Sequence, residues 1–429
     1  MADATLQTED EGAAVPPTRS GLGARAIWVV ADQAVSSLAN AGLTFVIARV
    51  VSPSEYGAFA LAFSVYSLVI ALTQGVCGQV LVIRYSAAPG ARQTWAGAAA
   101  GGVALLVGAL AGLITLAIAL FTGMPLRGVL LAVAVLLPAL TLQDTWRTAF
   151  VSRGTPAAAF VNDLVWTVLQ AVGVVVLLLV HTDRAVPFVL AWAGAALVAA
   201  VLGARQNHRV PTFATARPWV WDHREVSLPS LANALVNLGT IQIAFVVIAV
   251  IGAVDDVGAL RAAQTLLGPL NIVGFAVGSF VIPEVVRRNP SKKGLVQIAL
   301  AVSGLLVAVD AAWGAVLLLL PDSAGEALLG ETWTHAREAL PAMVAFTCLT
   351  GASVGATAIM RALNRVSFNV WINALLGPLM LVLSAIGTHL GGAAGAAAGF
   401  MVAGILVLPP CWWLLARAVA LGRRDVVPA

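Results

Sequence analysis

Residues 94–121 read TWAGAAAGGVALLVGALAGLITLAIALF, a long run without a single charged side chain. A helix of roughly 20 apolar residues crosses the hydrocarbon core of a bilayer, so this run predicts a membrane-spanning helix. Its many glycines and alanines suit the close approach of neighbouring helices in lipid. The alternation of apolar and polar residues that a membrane β-barrel requires is absent. The stretch therefore indicates a helical membrane protein.

The composition of the whole chain agrees with this interpretation. Of the 429 residues, 60% are apolar and 10% are charged, and the mean hydropathy is +0.94. Soluble proteins carry about 25% charged residues. The composition therefore excludes a cytosolic enzyme, a nucleic-acid binder and a disordered protein, and it predicts the lipid bilayer as the surroundings of the chain.

Apolar runs bounded by charges, prolines and glycines predict an all-α polytopic membrane protein with about twelve transmembrane helices. The runs cover approximately residues 26–49, 56–83, 94–121, 127–152, 156–181, 185–206, 227–252, 257–286, 295–320, 338–362, 366–389 and 392–416. With the N-terminus in the cytoplasm, nineteen of the 24 basic residues fall on the inner side, as the positive-inside rule expects. The five on the outer side are then Arg49, Arg127, Arg184, Arg261 and Arg337.

Three short patterns occur twice in the chain, in spans that are six apart. SLAN at 37–40 recurs at 230–233, EYGA at 55–58 resembles DVGA at 256–259, and TAF at 148–150 resembles TAI at 357–359. Six plus six spans in the same orientation predict two pseudo-symmetric six-helix lobes, related by an axis along the membrane normal. This is a transporter architecture, with the substrate path between the lobes.

The repeat divides the chain into five predicted parts. They are a disordered cytoplasmic tail (1–25), a first lobe (26–206), a cytoplasmic interfacial linker (207–226), a second lobe (227–418) and a cytoplasmic C-terminal tail (419–429). Trp219 and Trp221 beside basic residues predict that the linker lies along the membrane surface.

Two early motifs resemble a known family. ADQAVSSLAN at 31–40, followed by ARVVSPSEYG at 48–57, resembles the start of bacterial polysaccharide-biosynthesis proteins, the Wzx-like oligosaccharide flippases of the multidrug/oligosaccharidyl-lipid/polysaccharide (MOP) superfamily. The resemblance implies a V-shaped pair of six-helix bundles in the bacterial plasma membrane. It implies alternating access, which moves polyprenyl-pyrophosphate-linked oligosaccharide to the outer leaflet, with a polysaccharide polymerase and export proteins as further partners.

Polar residues inside the apolar runs are candidates for the site, because they are costly in lipid and tend to mark transport pathways. A stripe at helical spacing in span 1 contains Asp32 and Asn40, and span 7 carries Asn233 and Asn237. Such matched stripes predict either a hydrated cavity between the lobes or hydrogen bonds that hold helices together.

Charged candidates lie near the cytoplasmic side of the first lobe. Arg147 is expected to bind a substrate pyrophosphate, or to form an ion pair with Asp144 or Asp163, and Arg361 is the weaker alternative for the pyrophosphate. Asp32, Asp144 and Asp163 are candidates for proton or sodium coupling, since a desolvated carboxylate can titrate during transport. No other cofactor is expected.

Two other functions remain open from the residues. A cation-coupled small-molecule exporter of the same superfamily would use Asp32 as its coupling acid. A membrane glycosyltransferase or polysaccharide polymerase would use acids of the external loops, such as Glu55 and Asp256.

Overall fold

The structure is a computed structural model that describes residues 19–270, 281, 285 and 290–422. Every regular element among these residues is helical. The first half contains α1 (Arg19–Val50), α2 (Pro53–Thr73), α3 (Gln79–Tyr85), α4 (Gly90–Leu120), α5 (Leu126–Ser152), α6 (Pro156–Leu179) and α7 (Ala185–Gln206). A short linker helix, α8 (Ala216–Asp222), precedes the second half, which contains α9 (Arg224–Ala234), α10 (Thr240–Ile251), α11 (Val254–Leu266), α12 (Lys292–Leu318), α13 (Asp322–Leu329), α14 (Thr332–Ala362) and α15 (Val366–Leu421).

Eight helical segments of the described chain are long and apolar enough to cross a membrane. One of them, within α15, is bent where Gly391 and Gly392 leave the helical conformation, and Gly392 has a φ of +55°. This bend separates the predicted runs 366–389 and 392–416. The multi-pass membrane character expected from the composition is therefore confirmed.

Several helix bounds differ from the predicted runs in informative ways. Helix α1 begins at Arg19, so residues 19–25 are helical although the sequence placed them in a disordered tail. The predicted run 227–252 is divided, because a π-helical turn (Leu235–Gly239) separates α9 from α10. Most of the end of the run 257–286 lies outside the described residues.

Small residues allow the helices to lie close together. A Cβ atom added at Gly112 of α4 would overlap the carbonyl oxygen of Ala134 on α5, and one added at Gly108 would lie 2.7 Å from Cα of Pro138 on α5. In lipid, where apolar burial does not drive association, such close contact is a main source of helix–helix stability. The glycine- and alanine-rich run that predicts a span thus also builds the α4–α5 interface.

Equivalent residues of the two halves make equivalent contacts. Glu55 near the start of α2 accepts a hydrogen bond from the backbone N–H of Ala185, the first residue of α7 (2.7 Å). Asp256 near the start of α11 accepts one from Ala393, which follows the bend in α15 (2.7 Å). These are the acids of the EYGA and DVGA patterns, and both stabilise a helix N-terminus. A structural role therefore accounts for the acids that had suggested a glycosyltransferase.

The linker helix α8 packs on the first half. Trp219 is only 2% exposed; its ring stacks on Tyr85 with centroids 5.5 Å apart, and its Nε1 donates to the carbonyl of Val76. His223 lies 3.1 Å from the hydroxyl of Tyr85. Trp221, in contrast, is 67% exposed, so it alone of the two linker tryptophans presents the ring surface expected of an interfacial segment.

Candidate functional site

Arg147 on α5 lies between two carboxylates that belong to other helices. Its Nε donates to Oδ2 of Asp32 on α1 at 2.9 Å and lies 3.3 Å from Oδ2 of Asp163 on α6. Both aspartates are buried, whereas the arginine side chain keeps 27% of its surface exposed. We call these three residues the charged cluster. The Asp163–Arg147 pair was among the sequence expectations, but the pairing with Asp32 was not.

Amide side chains fix the orientation of the charged cluster. Gln143, one turn before Arg147, donates from Nε2 to Oδ1 of Asp163 at 2.7 Å and to Oδ1 of Asn162 at 3.2 Å. Asn162 in turn donates to the carbonyl of Ala199 on α7 at 2.8 Å. Gln143, Asn162 and Asp163 thereby have hydrogen-bond partners, which lowers the cost of burying these polar groups.

Asp144 makes a separate contact. It accepts a hydrogen bond from Nε2 of Gln74, which also donates to the hydroxyl of Thr148 at 2.8 Å. Gln74 is the first residue of the π-helical turn Gln74–Gly78 between α2 and α3. Such turns change the direction of side chains and are frequent at functional positions. Sequence reasoning did not identify Gln74, because its partner becomes visible only in the fold.

The charged cluster has an excess of negative charge. Two carboxylates share one guanidinium, and Oδ1 of Asp32 is buried without a hydrogen-bond partner among the described residues. This carboxylate oxygen therefore keeps its lone pairs free to accept a further hydrogen bond. A substrate pyrophosphate at Arg147 would have to compete with both aspartates.

Arg261, which the sequence places on the outer side at the end of the predicted run 257–286, lies inside helix α11. The helix begins at Val254, so Arg261 is about two turns, roughly 10 Å, along it. Its guanidinium carbon lies 4.3 Å from the ring centroid of Phe63 on α2, and its Nη1 donates to Oε1 of Gln264 at 2.9 Å. It therefore bridges the first half and the second half.

No carboxylate within the described ranges lies within ion-pair distance of Arg261, in contrast to Arg147. Phe63 presents an aromatic face to the guanidinium but no anionic oxygen, so Arg261 has no counter-charge among the described residues. Arg261 lies inside the predicted run 257–286, and an arginine in an apolar run is the signal that could have identified it.

The remaining predicted site residues lie apart from these contacts. Asn40 is partly buried on α1, and its carbonyl accepts a hydrogen bond from Thr44 at 2.7 Å. Asn233 is exposed on α9, and Arg361 is exposed in the last turn of α14. Asn237 belongs to the π-helical turn Leu235–Gly239, and its side chain lies outside the described part of the structure.

Comparison with solved structures identifies the fold. The chain superposes on an inward-facing multidrug resistance MATE family transporter of the MOP superfamily with a TM-score of 0.69 at 16% identity, over 91% of this chain and 98% of that one. The lipid II flippase MurJ in an inward closed conformation gives 0.69 at 10% identity, over 92% and 89%. A MOP superfamily transporter from Pyrococcus furiosus, described as having a binding pocket of reverse polarity, gives 0.55 at 14% identity, over 93% and 96%.

At the level of sequence, no protein-family model and no curated protein matches the chain significantly. The assignment therefore rests on the architecture. The chain has the fold of the MOP superfamily transporters, and its structure is similar both to a multidrug resistance transporter and to a lipid flippase.

Proposed function

We propose that this protein is a flippase that moves a polyprenyl-pyrophosphate-linked oligosaccharide from the inner to the outer leaflet of a bacterial plasma membrane. Its two halves provide alternating access, its termini are cytoplasmic, and its product feeds cell-surface polysaccharide biosynthesis. A polysaccharide polymerase and export proteins act on the translocated unit. The fold supports a transporter as the class of protein.

The environment of Arg261 supports an anionic substrate. Arg261 bridges the two halves through Phe63 and Gln264 and has no carboxylate partner among the described residues. A pyrophosphate satisfies such a cation through charge-assisted hydrogen bonds, which guanidinium forms with phosphate in a bidentate geometry. A cationic drug at the same place would be repelled. Arg147, which Asp32 and Asp163 neutralise, has a positioning role in this proposal.

The charged cluster favours a second candidate, a cation-coupled small-molecule exporter. The unpartnered Oδ1 of Asp32 beside Asp163 and Arg147 provides an acid that can exchange a proton or sodium ion with the transport path. The two functions differ in what lies at Arg261. A flippase binds phosphate there, whereas an exporter of cations uses the acids of the charged cluster alone.

The test is translocation in proteoliposomes. The probe is a fluorescent polyprenyl-pyrophosphate-linked disaccharide, and its outer-leaflet fraction is read from quenching by an impermeant reductant. We expect Arg261→Gln to reduce the rate at least tenfold, because a charged hydrogen bond to phosphate is lost. The matched control is Arg184→Gln, an exposed arginine before α7. An unchanged rate in Arg261→Gln would overturn the proposal, and transport of a cationic dye instead would establish the exporter.

A further inference from the structure

A cavity of about 270 Å³ lies wholly in the second half, beside Arg261. None of the described residues that line it carries a charge. Its polar lining comes from α10, α11, α14 and α15, namely Thr240, Gln264, Thr347, Thr350 and Asn373. Met343, Phe346 and Met380 are among its apolar walls. Small-molecule sites combine these features, an apolar wall with a few convergent polar groups, at volumes of roughly 300 Å³ and above.

The hydroxyl groups of this cavity act as acceptors. Thr240 donates its hydroxyl hydrogen to the carbonyl of Val236, Thr347 donates to Met343, and Thr350 donates to Thr347, at 2.7–2.9 Å. A threonine that has used its hydrogen in its own helix retains oxygen lone pairs. The three oxygens therefore match a ligand that is rich in hydroxyl donors.

Gln264 connects this cavity to Arg261. Its Oε1 accepts the hydrogen bond from Nη1 of Arg261 at 2.9 Å, so its amide N–H groups remain available to donate into the cavity that it lines. A ligand whose phosphate binds Arg261 would thus place the group next to the phosphate in the cavity.

We infer that the cavity binds the first sugar ring of the substrate, the uncharged pyranose attached directly to the pyrophosphate. This inference rests on the proposed function, and it assigns the residues that recognise the glycan. The volume suits one ring. A bare cation requires several oxygens at about 2.3–2.6 Å, commonly carboxylates, and the described lining of this cavity contains no carboxylate. A hydrocarbon ligand in the cavity would leave the N–H groups of Gln264 without an acceptor, which costs free energy. The hydroxyl oxygens of a sugar accept these hydrogen bonds.

The experiment compares two probes, farnesyl diphosphate and farnesyl diphosphate linked to N-acetylglucosamine. Their binding to the purified full-length protein is measured by titration calorimetry. Thr347→Val with Thr350→Val preserves the side-chain shape and removes two hydroxyl oxygens. We expect this double variant to bind the sugar-bearing probe about tenfold more weakly, through two lost hydrogen bonds, and to bind farnesyl diphosphate unchanged. The control is Thr357→Val, which is on the same helix but outside the lining.

A second variant tests the same cavity by shape. A Cβ atom at Gly377 would lie 3.0 Å from Oγ1 of Thr240, so Gly377→Ala narrows the cavity without removing a polar group. We expect it to weaken binding of the sugar-bearing probe only.

The outcomes separate the sugar site from the proposed function. Arg261→Gln should weaken both probes. If the wild-type protein binds both probes equally and the threonine and glycine variants change neither, the sugar lies elsewhere, and the flippase proposal stands. If those variants weaken the binding of both probes alike, the cavity residues have a structural role and the inference fails. If the wild-type protein binds neither probe, the proposed function fails and this inference fails with it.

Discussion

Gly57 of α2 and Gly258 of α11 meet backbone to backbone between the two halves. A Cβ atom at Gly258 would lie 3.1 Å from Cα of Gly57, and one at Gly57 would overlap the carbonyl oxygen of Val254. These glycines occupy the same position in the EYGA and DVGA patterns. The internal repeat thus supplies both surfaces of the contact, which in the predicted orientation closes the external side.

Gly57→Ala should open that contact, because the added methyl group has no space against Val254. The reporter is a cysteine at Val257, which is fully buried, in a chain whose three native cysteines are replaced by alanine. We expect an impermeant maleimide to label it in Gly57→Ala. Labelling should stay low with Gly42→Ala, since a Cβ atom added at Gly42 would meet no atom of another helix within 4 Å. Equal protection in both variants would show that this contact does not control access.

Arg147→Ala should destabilise the protein, because it leaves Asp32 and Asp163 buried without their cation. Breaking a buried ion pair from one side costs about 3–5 kcal/mol. Tryptophan fluorescence on heating in detergent measures the loss. Replacing both aspartates by asparagine together with Arg147→Met should recover much of it. If the single variant Arg147→Ala melts like the wild type, the ion pairs of Arg147 with Asp32 and Asp163 do not stabilise the protein.

Asp32→Asn tests coupling. The amide oxygen still accepts a hydrogen bond from Arg147, but the residue no longer exchanges a proton. Transport by this variant should lose its dependence on an imposed proton or sodium gradient while a residual rate persists. Asp310→Asn is the control, since Asp310 is another buried acid, on α12 of the second half. Full gradient dependence in Asp32→Asn would remove this residue from the coupling path.

Glu55→Ala and Asp256→Ala should both destabilise the protein, and Asp256→Ala should do so more, because Asp256 also accepts a hydrogen bond from the backbone N–H of Ala253 at 2.9 Å. Each removes the carboxylate that accepts a hydrogen bond from a helix N-terminus, at Ala185 or at Ala393, and loss of such a cap costs about 1 kcal/mol. Thermal unfolding of the purified variants provides the measurement. Glu326→Ala, on the exposed surface of α13, should change little. If either variant melts like the wild type, the two acids do not have equivalent roles in the two halves.

The helices were largely predictable because lipid imposes one physical requirement on every span. A backbone in hydrocarbon must satisfy its own hydrogen bonds, so apolar length between charges determines where helices lie. The predicted runs 127–152 and 185–206 differ by at most one residue from Leu126–Ser152 and Ala185–Gln206. Bends within helices were less predictable, since the π-helical turns depend on the neighbouring helices and leave no break in the apolar pattern.

The site was predicted less well, because its contacts join residues that are distant in the chain. Asp32 and Arg147 were each identified as intramembrane charges, but the sequence alone suggested pairing within α5 or between α5 and α6, where spacing provides a guide. Arg261 was counted only as a basic residue on the outer side of the membrane, so it was not considered for the site. Its contact with Phe63 exists only through the packing of α2 against α11.

The docking of α8 also determines how the chain can be divided. Residues 208–210 are exposed, while Trp219 just beyond them is held by the first half. If the chain is divided at 208–210 and both fragments are co-expressed, the C-terminal fragment begins with α8, which docks on the N-terminal fragment through Trp219. If the chain is divided after α8, this helix stays on the N-terminal fragment, and the contact of Trp219 no longer joins the two fragments. If the fragments from the first division assemble and those from the second do not, contacts of Trp219 hold the two fragments together.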